Sequence, residues 1–327
     1  MKSYSRSRER FWAKAEMGGL GLVMSLVFAA CLTTPALAQH SPSTVFQTTL
    51  NRLTTFVVGN NGHLYDKYYN NGWIWEDQGT PPGALAIDSP GAVYQSQQDR
   101  QIAFVVGSNG HLYDKYYNNG WIWEDQATPP GALAIESPSA VYQTSINRVV
   151  VFVLGSNGHL YDKYYNNGWI WEDQGTPPGA LAINSPGAVY QTPLDRIVAF
   201  VMGDNGHLYD KYYNNGWIWE DQGTPPGTVA INSPGAVYQT VLDRIHAFVM
   251  GENGHLYLKY YNNGWFWQDR GTPPGGALAK NSPSAIYQPT INRVAAFVVG
   301  SYGRLSDSYY NGQQWVWEDQ GYPGVLF

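Results

Sequence analysis

The chain has 327 residues, of which 43% are hydrophobic, 15% aromatic and 13% charged, and its formal net charge is −6. An acidic chain so poor in cations argues against nucleic acid or an anionic lipid surface as a partner. One Cys beside 13 Trp, 25 Tyr and 36 Gly points to an aromatic-rich β protein held by packing, not to a disulfide scaffold.

Residues 1–38 stand apart from the rest. Lys2, Arg6, Arg8, Arg10 and Lys14 make a basic start, an apolar run follows over 18–33, and Ala36-Leu37-Ala38 fits a small-x-small cleavage site. This is the pattern of a secretory signal peptide, with cleavage expected after Ala38 and a secreted or periplasmic product. Cys31 lies in that leader, so the mature part, 39–327, is expected to contain no thiol. No later segment is long and apolar enough to read as a membrane span.

From residue 41 onward the chain is one unit copied six times. The string NGHLYDKYYNNGWIWEDQ occurs verbatim at 61–78, 109–126, 157–174 and 205–222, and altered copies start at Asn253 and Tyr302. Gly59, Gly107, Gly155, Gly203 and Gly251 are 48 residues apart, and Gly300 follows after 49 because Gly276 is inserted. The units start near residues 41, 89, 137, 185, 233 and 282.

The second unit serves for all. Ser89-Pro90-Gly91 predicts a turn, 92–95 a short strand, 96–99 a polar turn and 100–106 a second strand rich in β-branched and aromatic residues. Asn109-Gly110 and Asn119-Gly120 are hairpin signals, because Asn-Gly accepts the positive φ that tight turns demand. They bracket a third strand over 111–117 and lead into a fourth over 121–126. Thr128-Pro129-Pro130-Gly131 then ends the sheet, since proline cannot donate to a ladder. Four-stranded meanders of 40–50 residues, repeated four to eight times, mark a β-propeller. The expected fold is all-β: a six-bladed β-propeller with four antiparallel strands per blade and about 48 residues per repeat. An open β-solenoid is the competing architecture, but its rungs are shorter and lack the three tight connections.

Each unit repeats a Trp-x-Trp pair followed by acidic groups, and an Arg at the head of the second strand. A sugar offers an apolar face of C–H groups, on which indole rings stack, and a rim of hydroxyls, which carboxylates and guanidinium groups bind. The candidate sugar-binding residues are Trp73, Trp75 and Glu76 in the first unit; Arg100, Trp121, Trp123 and Glu124 in the second; and Arg148, Trp169, Trp171 and Glu172 in the third. Arg196, Trp217, Trp219 and Glu220 continue the series in the fourth, and Arg244 in the fifth. The plainer alternative is that the indoles fill the space between blades and the arginines pair with Asp or with carbonyls.

His63, His111, His159, His207 and His255 also recur, but equivalent residues of a propeller stand far apart unless they line the axis, so no metal is expected. The Gly-x-Asn-Gly loops lack the carboxylates of a Ca²⁺ loop. No cofactor is expected either. Catalysis needs differently placed groups of different pKa, whereas near-identical units supply the same groups six times. A non-enzymatic binding protein is therefore expected, with a protein-binding scaffold as the rival and a glycoside hydrolase as a weaker third.

The run SPGAVYQ…DRIVAFVMGDNGHLYDKYYNNGWIWEDQGTPPG resembles the repeat of bacterial PLL-like β-propeller lectins, a group related to six-bladed fungal fucose lectins. Those repeats show S-x-P-A-V, R-hydrophobic-x-x-F-x-x-G, N/D-G-x-L-Y/W and paired tryptophans. The resemblance covers 41–327 and implies binding of glycans, often fucose or related sugars, in clefts between adjacent blades. PLL-type rings have seven blades where this chain has six units, and their W-x-x-W is W-x-W here. Units five and six depart further, with Leu258, Gln268, Arg270, Ser306 and Ser308 replacing the common residues, so the clefts beside them are expected to be weak or empty.

Overall fold

The computed structural model describes residues 41–279 and 281–321. The expected leader, 1–38, and its expected cleavage site lie outside the described residues. Within them, 24 strands form six sheets of four consecutive antiparallel strands. The first blade is β1 (Ser43–Gln47), β2 (Arg52–Val58), β3 (Leu64–Tyr69) and β4 (Trp73–Asp77). The second is β5 (Ala86–Gln95), β6 (Arg100–Gly107), β7 (Leu112–Tyr117) and β8 (Trp121–Asp125), and the third is β9 (Ala134–Gln143), β10 (Arg148–Gly155), β11 (Leu160–Tyr165) and β12 (Trp169–Asp173). Every sheet runs in chain order, so no strand is exchanged between blades. The protein is a six-bladed β-propeller. Among the described residues no helix is long and apolar enough to cross a membrane.

The local chemistry explains the meander. Asn119 and Gly120 take positive φ angles of 52° and 143°, and the Asn118 amide donates to Gly120 O at 2.8 Å, closing the outer hairpin. Ser96–Gln98 form one 3₁₀ turn that ends on Asp99 in the left-handed region, φ 48°, and so returns the chain to β6.

One expectation is corrected. Ser89-Pro90-Gly91 is not a turn but lies inside β5, which begins at Ala86 and shifts register between Ile87 and Gly91. The innermost strand of each blade is a sheet edge facing the axis, and there a proline removes no ladder bond. The Ser-Pro segments of all six blades surround an axial cavity of about 360 Å³. They are linked serine to serine. The Ser89 amide donates to Ser137 Oγ at 2.9 Å and the Ser137 amide to Ser185 Oγ at 3.0 Å. The absence of a side chain at Gly91 leaves room for Pro138 O of the next blade, which an added Cβ would run into.

Both faces of the second strands are apolar because each faces a neighbouring sheet. Ile102, Phe104 and Val106 pack on Val149, Val151 and Val153 of the third blade. Ala103 and Val105 pack the other way, on Phe56 and Val58 of the first. Phe104, Phe152, Phe200 and Phe248 are all fully buried. Truncating such a ring costs about 3–5 kcal/mol, which makes the seams the main source of stability.

In five seams the second tryptophan of a blade donates to a carbonyl of the preceding blade, and in four of them a lysine joins it, Ser308 standing in the lysine's place at the fifth–sixth seam. Trp123 Nε1 and Lys115 Nζ both donate to Gln78 O of the preceding blade, at 2.9 and 3.2 Å. Gln95 Nε2 donates forward to Asn147 Oδ1 at 3.0 Å. The seam between the sixth and first blades has none of these bonds among the described residues. Leu305 is 37% exposed there, where its counterpart Leu112 is fully buried, and Trp73 and Trp75 are 55% and 54% exposed.

Candidate functional site

The second–third, third–fourth and fifth–sixth seams open into clefts. The one between the second and third blades holds about 250 Å³ and is lined by Arg100, Asp114, Tyr116 and Glu124 on one wall and Val149, Tyr165 and Trp169 on the other. The corresponding cleft between the third and fourth blades holds about 560 Å³ and repeats the set as Arg148, Asp162, Tyr164 and Glu172 against Ile197, Tyr213 and Trp217.

Strand register builds the polar wall. Asp114 stands between Phe104 and Glu124 across the sheet, and Tyr116 stands between Ile102 and Ile122. Residues two apart share a face, so Asp114 and Tyr116 look into the same cleft. Arg100 enters at the head of β6. Its Nε and Nη2 donate to Gln95 Oε1 at 3.3 and 2.9 Å, and its guanidinium lies 5.0 Å from the Tyr116 ring centre. The arginine is thus fixed by its own blade, through a glutamine that also bonds the next one.

Asp114 is buried and accepts from Gln126 Nε2 at 2.8 Å. Burial pushes its carboxyl up to about 7; the Gln126 bond opposes this and the Glu124 charge adds to it. Asp162 and Asp210 repeat that environment, also at about 7, and Asp66 is raised to about 6. Glu124 is exposed and forms the outer lip.

The two tryptophans of each Trp-x-Trp pair take different positions. Trp169, the first, meets Phe104 of the preceding blade edge-on and reaches the cleft. Trp171, the second, donates Nε1 to Gln126 O at 2.9 Å and carries the Lys163 ammonium 4.8 Å from its ring centre. Trp123 and Trp219 make the same ties, to Gln78 O and Gln174 O. Trp75 carries Lys67 at 4.7 Å but has no such carbonyl partner among the described residues.

The structure therefore groups the sequence candidates across blades. Arg100 and Glu124 meet Trp169, and Arg148 and Glu172 meet Trp217. By the same repeat Glu76 faces the seam that Trp121 enters, where Trp121 meets Phe56, and Arg196 and Glu220 face the one that Trp265 enters, where Trp265 meets Phe200. Trp73 stands on the open face of the first blade, edge-on to Tyr69. Arg244 turns to Asn262 Oδ1 at 3.0 Å in place of its glutamine. The cleft lining adds the third-strand Asp114 and Tyr116, and Tyr165 at the strand end, to the candidate set. Their recurrence in every early unit was the available signal.

The recurring histidines are committed elsewhere. His111 Nδ1 lies 2.9 Å from Asp125 Oδ1, the pair recurs in four other blades, and Arg304 with Asp319 replaces it in the sixth. Among the described residues no three His, Cys, Asp or Glu side chains converge as metal ligands would.

No known family profile matches the chain, and no curated protein matches it. Solved structures do. A lectin from Burkholderia pseudomallei is 18% identical, with a TM-score of 0.64 over 84% of this chain and 82% of that one. The Aleuria aurantia lectin in complex with Fucα1-6GlcNAc is 13% identical, with a TM-score of 0.60 over 88% and 98%. AofleA from Arthrobotrys oligospora is 12% identical, with a TM-score of 0.58 over 88% and 87%. At these identities the likeness is one of fold.

Proposed function

We propose that the protein is a carbohydrate-binding lectin that holds neutral sugars, fucose or its relatives, in the clefts between adjacent blades. The observation that carries this reading is the repeated pairing of an Arg, Tyr and Glu wall from one blade with a Trp and Tyr wall from the next. The indole and phenol rings supply a face for C–H stacking, and the guanidinium and carboxylate supply partners for hydroxyls. Solved neighbours described as lectins, one of them bound to a fucosylated sugar, support the same reading. The leader at 1–38 supports a secreted or periplasmic location, where glycan surfaces are met.

A single cleft of this size binds weakly, about −4 kcal/mol for millimolar affinity. Several clefts on one ring raise the apparent affinity for a multivalent glycan surface by about 10²–10⁴ where the spacing allows simultaneous contact.

Binding fits the geometry better than hydrolysis. A glycosidase places two carboxyl groups on opposite sides of the scissile bond. Here Asp114 and Glu124 are neighbours on one sheet, Asp114 is bonded by Gln126, and the facing wall of the second–third cleft offers no carboxyl. A glycan array with fucosylated, methylated and sialylated members tests the proposal. It expects binding that free monosaccharide competes away; capture of one protein partner, unaffected by sugar, supports the scaffold reading instead.

A further inference from the structure

The cleft between the fifth and sixth blades reverses the charge of the others. It holds about 650 Å³. Leu258 stands where the second blade has Asp114, and Gln268 where it has Glu124. Both carboxyl groups of the polar wall are gone. In their place His246 replaces Ile102, and Arg270 replaces Gln126. Arg244 remains, and all three line the cavity.

These changes leave buried polar atoms uncommitted. His246 Nε2 lies 3.0 Å from Gln239 Oε1, the acceptor that holds the arginine in other blades. Arg244 is thereby released and reaches only Asn262 by one Nη. The Arg270 guanidinium lies 5.2 Å from the Trp315 ring centre, gives one bond to its neighbour's carbonyl, Asp269 O, and has its Nε buried without a partner. His246 is 5% exposed, and its Nδ1 is also buried without a partner. The one carboxylate left in the wall, Asp269, is already bonded by His255 Nδ1 at 3.0 Å and by the Gly271 amide at 2.7 Å.

We propose that this cleft is a separate site for an anionic pyranose, of the hexuronic acid class. A half-buried guanidinium on an aromatic face is suited to planar, paired hydrogen bonding of a carboxylate. Arg270 and Arg244 take the carboxylate, and Trp315 with Tyr310 takes the sugar ring. The carboxyl groups that would repel such a ligand in the other clefts are the ones this cleft lacks. The inference rests on the lectin reading only for the pyranose; the charge reversal stands by itself.

Isothermal titration of the purified protein with methyl β-D-glucuronide, methyl β-D-glucoside and methyl α-L-fucoside tests it. Arg270→Gln restores the residue of the earlier blades and is compatible with the fold. The expected result is one glucuronide site per chain, at least tenfold tighter than for the glucoside. Arg270→Gln should weaken that site at least tenfold while fucoside binding stays unchanged. Equal affinity for glucuronide and glucoside, or an unaffected variant, overturns the inference, and so does equally tight binding of acetate or sulfate alone. Fucoside binding without glucuronide binding sinks this site only, whereas the reverse sinks the neutral-sugar reading and leaves this one standing.

Discussion

Trp169 of the third blade lies edge-on against Phe104 of the second, with ring centroids 5.9 Å apart and planes at 86°. The pair joins two roles. Phe104 is fully buried in the seam, while Trp169 is half-buried and walls the cleft. Phe152 with Trp217 and Phe200 with Trp265 repeat the contact. Cleft wall and seam packing therefore draw on the same indole.

This leads to a first prediction. Trp169→Ala removes one sugar site of the set and destabilises the ring by about 2–3 kcal/mol, below the roughly 3–5 kcal/mol of a fully buried aromatic. Titration stoichiometry should fall by one, and denaturant unfolding should shift by that amount.

The second tryptophan should behave differently. Trp171 is committed to Gln126 O and to the Lys163 ammonium. Trp171→Phe keeps most of the packing and loses the indole bond, at about 0.5–1.5 kcal/mol, because Gln126 O keeps its bond from Lys163 Nζ. The number of sugar sites should not change, as the same titration would show.

A third prediction concerns pH. Asp114, Asp162 and Asp210 are raised by burial to about 7 and Asp66 to about 6, from an ordinary 3.8. Between those values the folded chain binds more protons than the unfolded one, so these groups make stability fall as pH rises from about 4 to 7. His246, lowered to about 4 by burial, acts the opposite way, adding stability as pH rises from about 4 to 6.5. One histidine against four carboxyl groups leaves a net decline. Melting temperature should be higher at pH 5 than at pH 8, and Asp210→Asn should flatten the dependence. The fifth blade already carries Leu258 at that place, so an uncharged group fits there.

A fourth prediction isolates the arginine's anchor. Gln95 accepts from Arg100 and donates to Asn147 of the next blade. Gln95→Ala should cost about 1–3 kcal/mol of stability. It should also weaken sugar binding in the adjoining cleft alone, read as one weakened site among unchanged ones.

The period and the Asn-Gly turns made the blades legible, because both act locally. The inner strand was misjudged at Pro90, since only the ring shows that its open edge faces an axis that asks for no donor. The site was half legible. Candidates of each type line the clefts, but Trp169 and Trp171 share one strand face, and alternation alone does not separate an indole at the cleft from one bonded to a neighbouring carbonyl. Nor does spacing tell that Arg100 meets the tryptophan of the following unit, because that depends on which way neighbouring sheets lean. The changes at Leu258 and Gln268 looked like losses in the sequence; beside His246 and Arg270 they form a different electrostatic environment.

A crystal structure of the protein soaked with the sugar that binds best on an array tests the central claim most directly. The account predicts a sugar ring stacked on Trp169 with its hydroxyls on Arg100 and Glu124, and the same pose against Trp217. A sugar seated elsewhere, such as on the open Trp73 and Trp75 face, with these clefts empty, would contradict it.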